Sequence, residues 1–325
     1  MIVQIVGHKN NSLDDFILLG FSIGQKTFSL LIAITYMMTI IGNFAVFSII
    51  QVDSCLKTPM YFFLSCLSLL DICYSTVTLP AMLFITITGN RRISFYRCFT
   101  QLYFFVCFGG SECLLLAAMA YDRYVAICHP LRYHVVMNRR FCSGIVSGCW
   151  ICGLLNAMFH TLMTLKLTFC GDHHINHFFC DVLPMLEAAC SNIQSSQVLL
   201  HVVTVFLGMS PFIFVMNSYI HIISTILKIH SSEGRQKVFS TCSSHLITLP
   251  HPFLLAPLPQ SHPNTVFYIT SMFNYNGPIS GDSFIIVRVS SILYSVVPSL
   301  LNPIIYSLRN KDVRKAFNKV IKMPF

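Results

Sequence analysis

Two acidic side chains lie deep inside long apolar stretches of the sequence. Asp71 and Glu112 are the only charged residues in 59–87 and 98–121, and no Lys or Arg in those stretches can neutralise them. Burying an ionised side chain in the middle of a bilayer costs about 2.5–3.5 kcal/mol or more, so such residues are functional candidates. The pair therefore predicts either a bound cation or retained protons; in the second case the carboxyl groups are hydrogen-bond donors within the protein.

The helices that carry these acids must cross a membrane. The 325-residue chain is 54% hydrophobic and 10% charged, with a mean hydropathy of +0.67, whereas soluble domains carry about 25% charged residues. A soluble enzyme is thereby excluded, and no basic run with interleaved aromatic residues indicates a nucleic-acid partner. A spanning helix needs about 20 apolar residues. The sequence predicts spans at 27–50, 59–87, 98–121, 141–165, 197–227, 238–273 and 284–308.

The distribution of basic residues orients these spans. With the N-terminus outside, most of the 21 Lys and Arg residues fall in inner loops and the tail, as the positive-inside rule requires. Residues 311–322 place apolar side chains at helical spacing opposite Lys and Arg, which predicts an amphipathic helix on the inner membrane face; a solvated basic tail is the alternative. The predicted fold is an all-α membrane protein, a seven-transmembrane helix bundle with a short amphipathic C-terminal helix.

Four sequence strings identify a family resemblance. They are TPMYFFLSCLSLLD at 58–71, MAYDRYVAIC at 119–128, FSTCSSHL at 239–246 and NPIIYSLRN at 302–310. In this order and on these spans, they closely resemble the signatures of olfactory receptors, which are rhodopsin-like G-protein-coupled receptors. The resemblance covers residues 16–317 apart from one interval.

The resemblance implies an odorant receptor. Such a protein binds small, volatile, mostly apolar ligands within the helix bundle and activates a heterotrimeric stimulatory G protein, which raises cAMP. It implies a multi-pass protein of the plasma membrane, in contact with membrane lipid, with an extracellular N-terminus and a place in sensory-neuron cilia. No catalytic site is expected. A transporter or channel would need more buried charge than the one acidic pair, and an intramembrane enzyme would need a nucleophile and base at matched depth.

The resemblance also assigns roles in G-protein coupling. It implies that Asp122 restrains Arg123 in the resting state and that the freed guanidinium holds the C-terminal helix of the G protein. An Arg that only extends to lipid phosphate is the alternative. The other switch residues implied are Tyr124, Tyr219, Asn302, Pro303 and Tyr306.

Two kinds of ligand site follow from the same resemblance. Asn302 would join Asp71 and Glu112 in a sodium site; no other cofactor is expected. Because no Asp lies at pocket level on the third span, a charged amine is a poor candidate ligand. The odorant pocket implied by position consists of Phe105, Phe108, Gly109, Val203, Leu207, Tyr268 and Ser295. These pocket residues could instead serve bundle packing alone.

The outer segments carry cysteines, histidines and a sequon. The resemblance pairs Cys98 with Cys180 and Cys170 with Cys190, and Asn10 begins an Asn-X-Ser glycosylation sequon. The histidines His173, His174 and His177 close to Cys180 and Asp181 would suit copper or zinc. Since a disulfide-bonded Cys180 is no thiolate ligand, we expect solvated loop histidines and no metal ion.

The sixth span departs from the family pattern. Five prolines fall within residues 250–264, and each interior proline costs about 3 kcal/mol of helix stability. Removing 250–264 joins 238–249 to 265–273 as one segment of spanning length. We therefore interpret 250–264 as an in-frame insertion. The alternatives are a broken helix or an outward bulge that the bundle tolerates, and a receptor-like chain that is defective in signalling.

Overall fold

The computed structural model describes residues 15–20, 25–169, 173–228, 292, 296–305 and 310–321. Helices dominate these residues. In chain order they are α1 Gln25–Val52, α2 Pro59–Thr88, α3 Phe95–Cys128, α4 Tyr133–Val136, α5 Arg139–Leu165, α6 Val182–Ala188, α7 Gln194–Val203, α8 Ser210–Leu227, α9 Val296–Ile305 and α10 Lys311–Ile321.

Four described helices are long and apolar enough to cross a membrane. They are α1, α2, α3 and α5, and they cover the first four predicted spans. Short 3₁₀ turns at Ser54–Leu56 and Pro130–Arg132 lie in the connections that follow α1 and α3. The predicted sixth span at 238–273, including 250–264, lies outside the described residues, and the seventh at 284–308 is described only in part.

Local sequence signals set the ends of these helices. Proline occupies the first position of α2, where the missing N–H costs nothing. The same helix ends at Gly89, whose φ of 68° is the left-handed conformation that glycine adopts without strain. At the start of α5, the Asn138 Oδ1 accepts the N–H of Phe141 at 3.0 Å, which satisfies one of the free donors of the first turn.

The fifth predicted span is divided. The sequence predicts one stretch at 197–227, but the structure has α7, a π-helical segment at Thr204–Met209, and then α8. Pro211 in the first turn of α8 has no N–H to donate to the preceding turn, a local reason for the changed hydrogen-bond register. Apolar periodicity does not reveal such a change, because π-helical and α-helical turns have similar composition.

A small sheet closes the end of the bundle that carries the disulfide. Strand β1 (Phe16–Leu18) lies between β2 (Arg92–Ile93) and β3 (His174–Ile175). It pairs antiparallel with β2 and parallel with β3. The sheet therefore ties the N-terminal segment, the α2–α3 connection and the long loop after α5 into one layer.

The core lies between α2 and α3, and apolar residues also cover the outside. Leu67, Leu70 and Leu115 are almost fully buried. On α1 and α5, Ile41 and Leu155 are 60% and 55% exposed, among many large apolar side chains on the same surfaces. An apolar surface of that extent belongs against lipid, so the chain is a helical membrane protein.

Candidate functional site

The two buried acids lie in a polar cluster formed by four helices. Asp71 on α2 and Glu112 on α3 are almost completely inaccessible, and the two carboxyl groups interact electrostatically. Asn302 on α9 donates from Nδ2 to Asp71 Oδ2 at 3.0 Å. From α1, Asn43 donates to the Ser299 carbonyl oxygen at 2.9 Å. The sequence therefore found the acids and Asn302, and it missed Asn43 and Ser299.

Several oxygen atoms of this cluster lack a hydrogen-bond partner among the described residues. They are Asn43 Oδ1, Asp71 Oδ1, Glu112 Oε1 and Asn302 Oδ1; the Ser299 side chain interacts with the Asp71 carboxyl group. Buried polar atoms in folded proteins are nearly always hydrogen-bonded, so a concentration of orphaned acceptors needs an explanation. Carboxylate, amide and hydroxyl oxygens are the ligands that hard cations prefer. These oxygen atoms are therefore suitable ligands for sodium. They are also suitable acceptors if the carboxyl groups are protonated.

The α1 and α9 backbones approach closely beside this cluster. A Cβ atom at Gly42 would lie 3.0 Å from Pro303 Cγ, which is tighter than ordinary van der Waals contact. Glycine at position 42 thus allows Asn43, the next residue, to reach the Ser299 carbonyl. Pro303 has no backbone N–H to donate within α9, and a kink of the helix at this residue stays a prediction.

At the other end of α3, Asp122 is held by a tyrosine. Asp122 is 1% exposed, and its Oδ1 accepts the Tyr133 hydroxyl of α4 at 2.9 Å. Burial, followed by the negative charge of Asp122, raises the pKa of Tyr133 above its ordinary value. Tyr133 therefore stays protonated at neutral pH and remains a donor. Sequence reasoning missed this residue because it lies 11 positions from Asp122 in a separate short helix.

Arg123 and Tyr124 follow Asp122 in the last turns of α3. Arg123 is half-buried and forms no ion pair with Asp122, although both residues are described. The restraint of Arg123 by Asp122 therefore stays a prediction, since the structure gives Asp122 a different partner. Tyr124 shares a hydrogen bond with His129 Nε2 at 3.1 Å. In the 3₁₀ turn that follows α3, Leu131 is 97% exposed.

Helix α8 packs against this end of α3. Tyr219 is buried in an apolar cluster with Ala120 and Ile222. Cys128 Sγ and Thr225 Oγ1 lie 3.3 Å apart and join the ends of the two helices. Tyr219 is thus placed next to the Arg123 helix, whereas Tyr306 lies outside the described residues.

The helix α10 docks on the connection between α1 and α2. Tyr61 donates its hydroxyl to Asn310 Oδ1 at 3.1 Å, and that oxygen also accepts the N–H of Asp312 at 3.0 Å. Lys319 Nζ lies 3.9 Å from Asp53 Oδ2. The Cys55 N–H, which donates to Asp53, lowers the pKa of that carboxyl, and Lys319 acts in the same direction. The packed face of α10 includes Val313 and Ala316, both buried.

A disulfide anchors the loop after α5 to the start of α3. Cys98 and Cys180 are bonded, as the resemblance implied. Next to the bond, Gln101 accepts the Cys180 N–H at 3.0 Å and donates to the Val77 carbonyl at 2.8 Å. Cys190 is also disulfide-bonded; its implied partner Cys170 lies outside the described residues, as does Asn10.

Under this loop lies an aromatic cluster. Phe105 is 3% exposed, and its ring lies 5.2 Å from Tyr74 and 4.9 Å from Phe179 between centroids. Gly109 faces Tyr74, because a Cβ there would lie 3.6 Å from the tyrosine ring. Phe108 packs instead against Trp150 on α5, at 5.9 Å. Sequence reasoning missed Tyr74 and Phe179.

The remaining implied pocket residues divide into two groups. Val203 ends α7 and Leu207 lies in the π-helical segment, and both are half-buried. Tyr268 and Ser295 lie outside the described residues. The structure therefore brings Phe105 and Gly109 together at Tyr74, and it places Phe108 on the neighbouring face of α3.

The prediction of solvated loop histidines is wrong for His177. His174 is exposed, but His177 is completely buried and its Nδ1 lies 3.2 Å from the Phe179 carbonyl oxygen. The adjacent Phe178 and Phe179 insert into the core and draw the histidine inward. Among the described residues, no group of three or more His, Cys, Asp or Glu side chains could hold a metal ion.

These features define a polytopic helical membrane protein in which a disulfide ties the loop after α5 to the start of α3, and comparison with known proteins gives its family. A family model described as Olfactory receptor matches residues 32–323. Olfactory receptor 8G50 of Mus musculus is 45% identical over 287 residues, which cover 88% of this chain and 87% of that protein. Olfactory receptor 8G1 of Homo sapiens is 42% identical over 320 residues, with coverages of 97% and 98%. The chain belongs to the olfactory receptor family of G-protein-coupled receptors.

Proposed function

We propose that the chain is an odorant receptor with seven membrane spans that activates a stimulatory G protein. The observation that carries the proposal is the arrangement at the end of α3, where Arg123 is half-buried in the last turns of the helix and Leu131, in the connection that follows, is almost fully exposed. Family membership over nearly the whole chain supports it. In the proposed orientation this end of the bundle faces the cytoplasm.

The G protein is proposed to bind at this inner end. Leu131 and Val135 are 97% and 76% exposed and lie in the short connection between α3 and α5. Exposed apolar side chains next to a fixed cation suit an amphipathic helix that offers both apolar side chains and acceptors. Asp122 accepts the Tyr133 hydroxyl and still interacts electrostatically with Arg123; release of this restraint is proposed to free the guanidinium for the partner helix.

The odorant is proposed to bind near the aromatic cluster of Phe105, Tyr74 and Phe179, at the disulfide-bearing end. Val203, Leu207, Tyr268 and Ser295 are proposed to complete the pocket. A largely aromatic lining with few polar groups favours small, mostly apolar molecules. The three rings also pack against one another. The ligand role is proposed because the cluster lies at the disulfide-bearing end of the bundle.

Sodium is proposed to bind between Asp71, Glu112 and Asn302 and to favour the resting state. The orphaned Asn43 Oδ1 supports this assignment, because Asn43 is bonded to Ser299, whose side chain interacts with Asp71. A bound cation would neutralise carboxylates whose burial is otherwise costly. Protonated carboxyl groups that act as donors are the competing explanation.

The chain is proposed to function in the plasma membrane of sensory-neuron cilia, with its N-terminus outside and Asn10 glycosylated. The second candidate function is a receptor-like chain that cannot signal. It is favoured by the five prolines within residues 250–264, because a broken sixth span would impair the outward movement that admits a G protein.

An odorant panel tests both candidates in one experiment. The intact chain and a variant that lacks residues 250–264 are expressed in cells, and surface staining and cAMP are measured for each odorant. A response from either chain supports the receptor assignment, and a response from the shortened chain alone supports the second candidate. Well-delivered chains that answer no odorant in a broad panel would overturn the proposal.

A further inference from the structure

A groove opens at the end of the bundle opposite the disulfide, where α1 ends and both α2 and α5 begin. Its volume is about 470 Å³. It shares no residue with the acidic cluster, and its lining residue Cys142 lies within electrostatic range of Asp122 on α3. The residues that matter for its chemistry are Ile50, Leu56, Lys57, Phe62, Arg139 and Cys142.

Two cations form the rim of this groove. Lys57 and Arg139 are both exposed, and neither takes part in an ion pair with any described residue. No acidic residue lines the groove, and the neighbouring Asp53 is already next to Lys319 at 3.9 Å. The rim therefore carries two cationic side chains that have no ion-pair partner among the described residues.

The floor of the groove is apolar. Ile50, Leu56 and Cys142 are 5%, 1% and 2% exposed, whereas Phe62 is 37% exposed and presents its ring on the surface. Next to the groove, Phe141 is 42% exposed on α5. Surface segments that lie where headgroups meet acyl chains combine basic side chains with apolar ones such as Phe. The groove therefore joins the two regions of a lipid.

We propose that this groove binds an anionic phospholipid of the cytoplasmic leaflet. The headgroup phosphate lies between Lys57 and Arg139, and an acyl chain runs along Phe62. Charge complementarity favours this occupant, since the cytoplasmic leaflet is anionic and each nearby Lys or Arg strengthens binding about fivefold. The apolar side chains of Ile50, Leu56 and Phe62 offer a surface that an acyl chain can contact and a free inorganic anion cannot use. The inference rests on the proposed orientation, which places this end of the bundle at the cytoplasmic leaflet, and not on the odorant-binding proposal.

Lipid quenching of an introduced tryptophan tests the site. The chain has one tryptophan, Trp150, so F62W is placed in a W150F background and the full-length receptor is reconstituted in phosphatidylcholine nanodiscs. Brominated phosphatidylserine or brominated phosphatidylcholine is then added at increasing mole fraction. We expect half-quenching at a clearly lower fraction of the serine lipid. The double variant K57Q/R139Q should lower the relative affinity for the serine lipid about 25-fold, from about fivefold for each cation, so that the two lipids quench at similar mole fractions.

Matched variants separate a built site from general surface charge. R140Q/K315Q removes the same charge from the same end but leaves the groove lining intact, and it should shift half-quenching only slightly. The exchange K57R/R139K keeps both charges and should retain selectivity, provided that circular dichroism shows every variant folded. Equal quenching by the two lipids, an equal shift in R140Q/K315Q, or relief of quenching by millimolar inorganic phosphate would overturn the proposal.

Discussion

The packing of α3 against α5 can be tested at Gly153, where the two helices approach closely. Gly153 on α5 faces α3, and a Cβ at this position would overlap Ser111 Oγ and lie 2.6 Å from the Cys107 carbonyl oxygen. Ser111 Oγ also donates to the Cys149 carbonyl at 3.3 Å. The substitution Gly153→Ala should therefore force α3 and α5 apart, because a backbone carbonyl cannot rotate away as a side chain can.

The expected cost follows from three contributions. Overpacking a tight contact costs about 1–3 kcal/mol, and loss of the Ser111 hydrogen bond adds about 0.5–1.5 kcal/mol. Replacing Gly by Ala in a helix returns about 0.5–1 kcal/mol. Gly153→Ala should therefore lower the free energy of unfolding by about 0.5–4 kcal/mol, with a fall of several degrees in Tm and less protein at the cell surface.

Detergent-solubilised receptor and a thermal-shift measurement can check this value. Gly148→Ala is the matched control on the same helix, because a Cβ there has no atom within 4 Å; its Tm should be unchanged or slightly higher. Ser111→Ala combined with Gly153→Ala removes one of the two clashes and should recover part of the loss. An unchanged Tm in Gly153→Ala would refute the described α3–α5 contact.

Three further predictions concern the cation site, the outer loop and the sixth span. Replacing Asp71 by Asn and Glu112 by Gln should remove any sodium dependence of basal or stimulated cAMP, measured with potassium as the replacement ion; unchanged sodium dependence would place the site elsewhere. Non-reducing peptide mapping should recover Cys98 linked to Cys180, and free thiols at both positions would contradict the structure. Deleting 250–264 should raise surface level and odorant response, and equal performance of the intact chain would defeat the insertion argument.

Much of the helical arrangement could be predicted from the sequence because membrane spans impose a simple composition. The apolar stretches 27–50 and 59–87 lie within α1 (Gln25–Val52) and α2 (Pro59–Thr88). The rarity of charge inside the predicted spans also identified Asp71 and Glu112. In the structure these two carboxyl groups interact electrostatically. Both inferences rest on the high cost of charge in lipid, which leaves little freedom in placement.

The polar contacts of the loops could not be predicted in this way. The strands of the small sheet have only two or three residues, too few for an alternating pattern. The burial of His177 depends on where the neighbouring Phe179 inserts, and the bond from Tyr133 to Asp122 depends on how α4 folds back on α3. Each is a tertiary contact, with no local periodicity to reveal it.

The most direct test of the central claim is the cAMP response of an Arg123→Ala variant. The wild-type residue and the substitution are compared at equal surface level, in both the intact chain and the chain that lacks 250–264, with Arg140→Ala as a control for lost charge. The account predicts that Arg123→Ala abolishes the odorant response while membrane insertion and Arg140→Ala signalling stay normal. An undiminished odorant response in Arg123→Ala would contradict it.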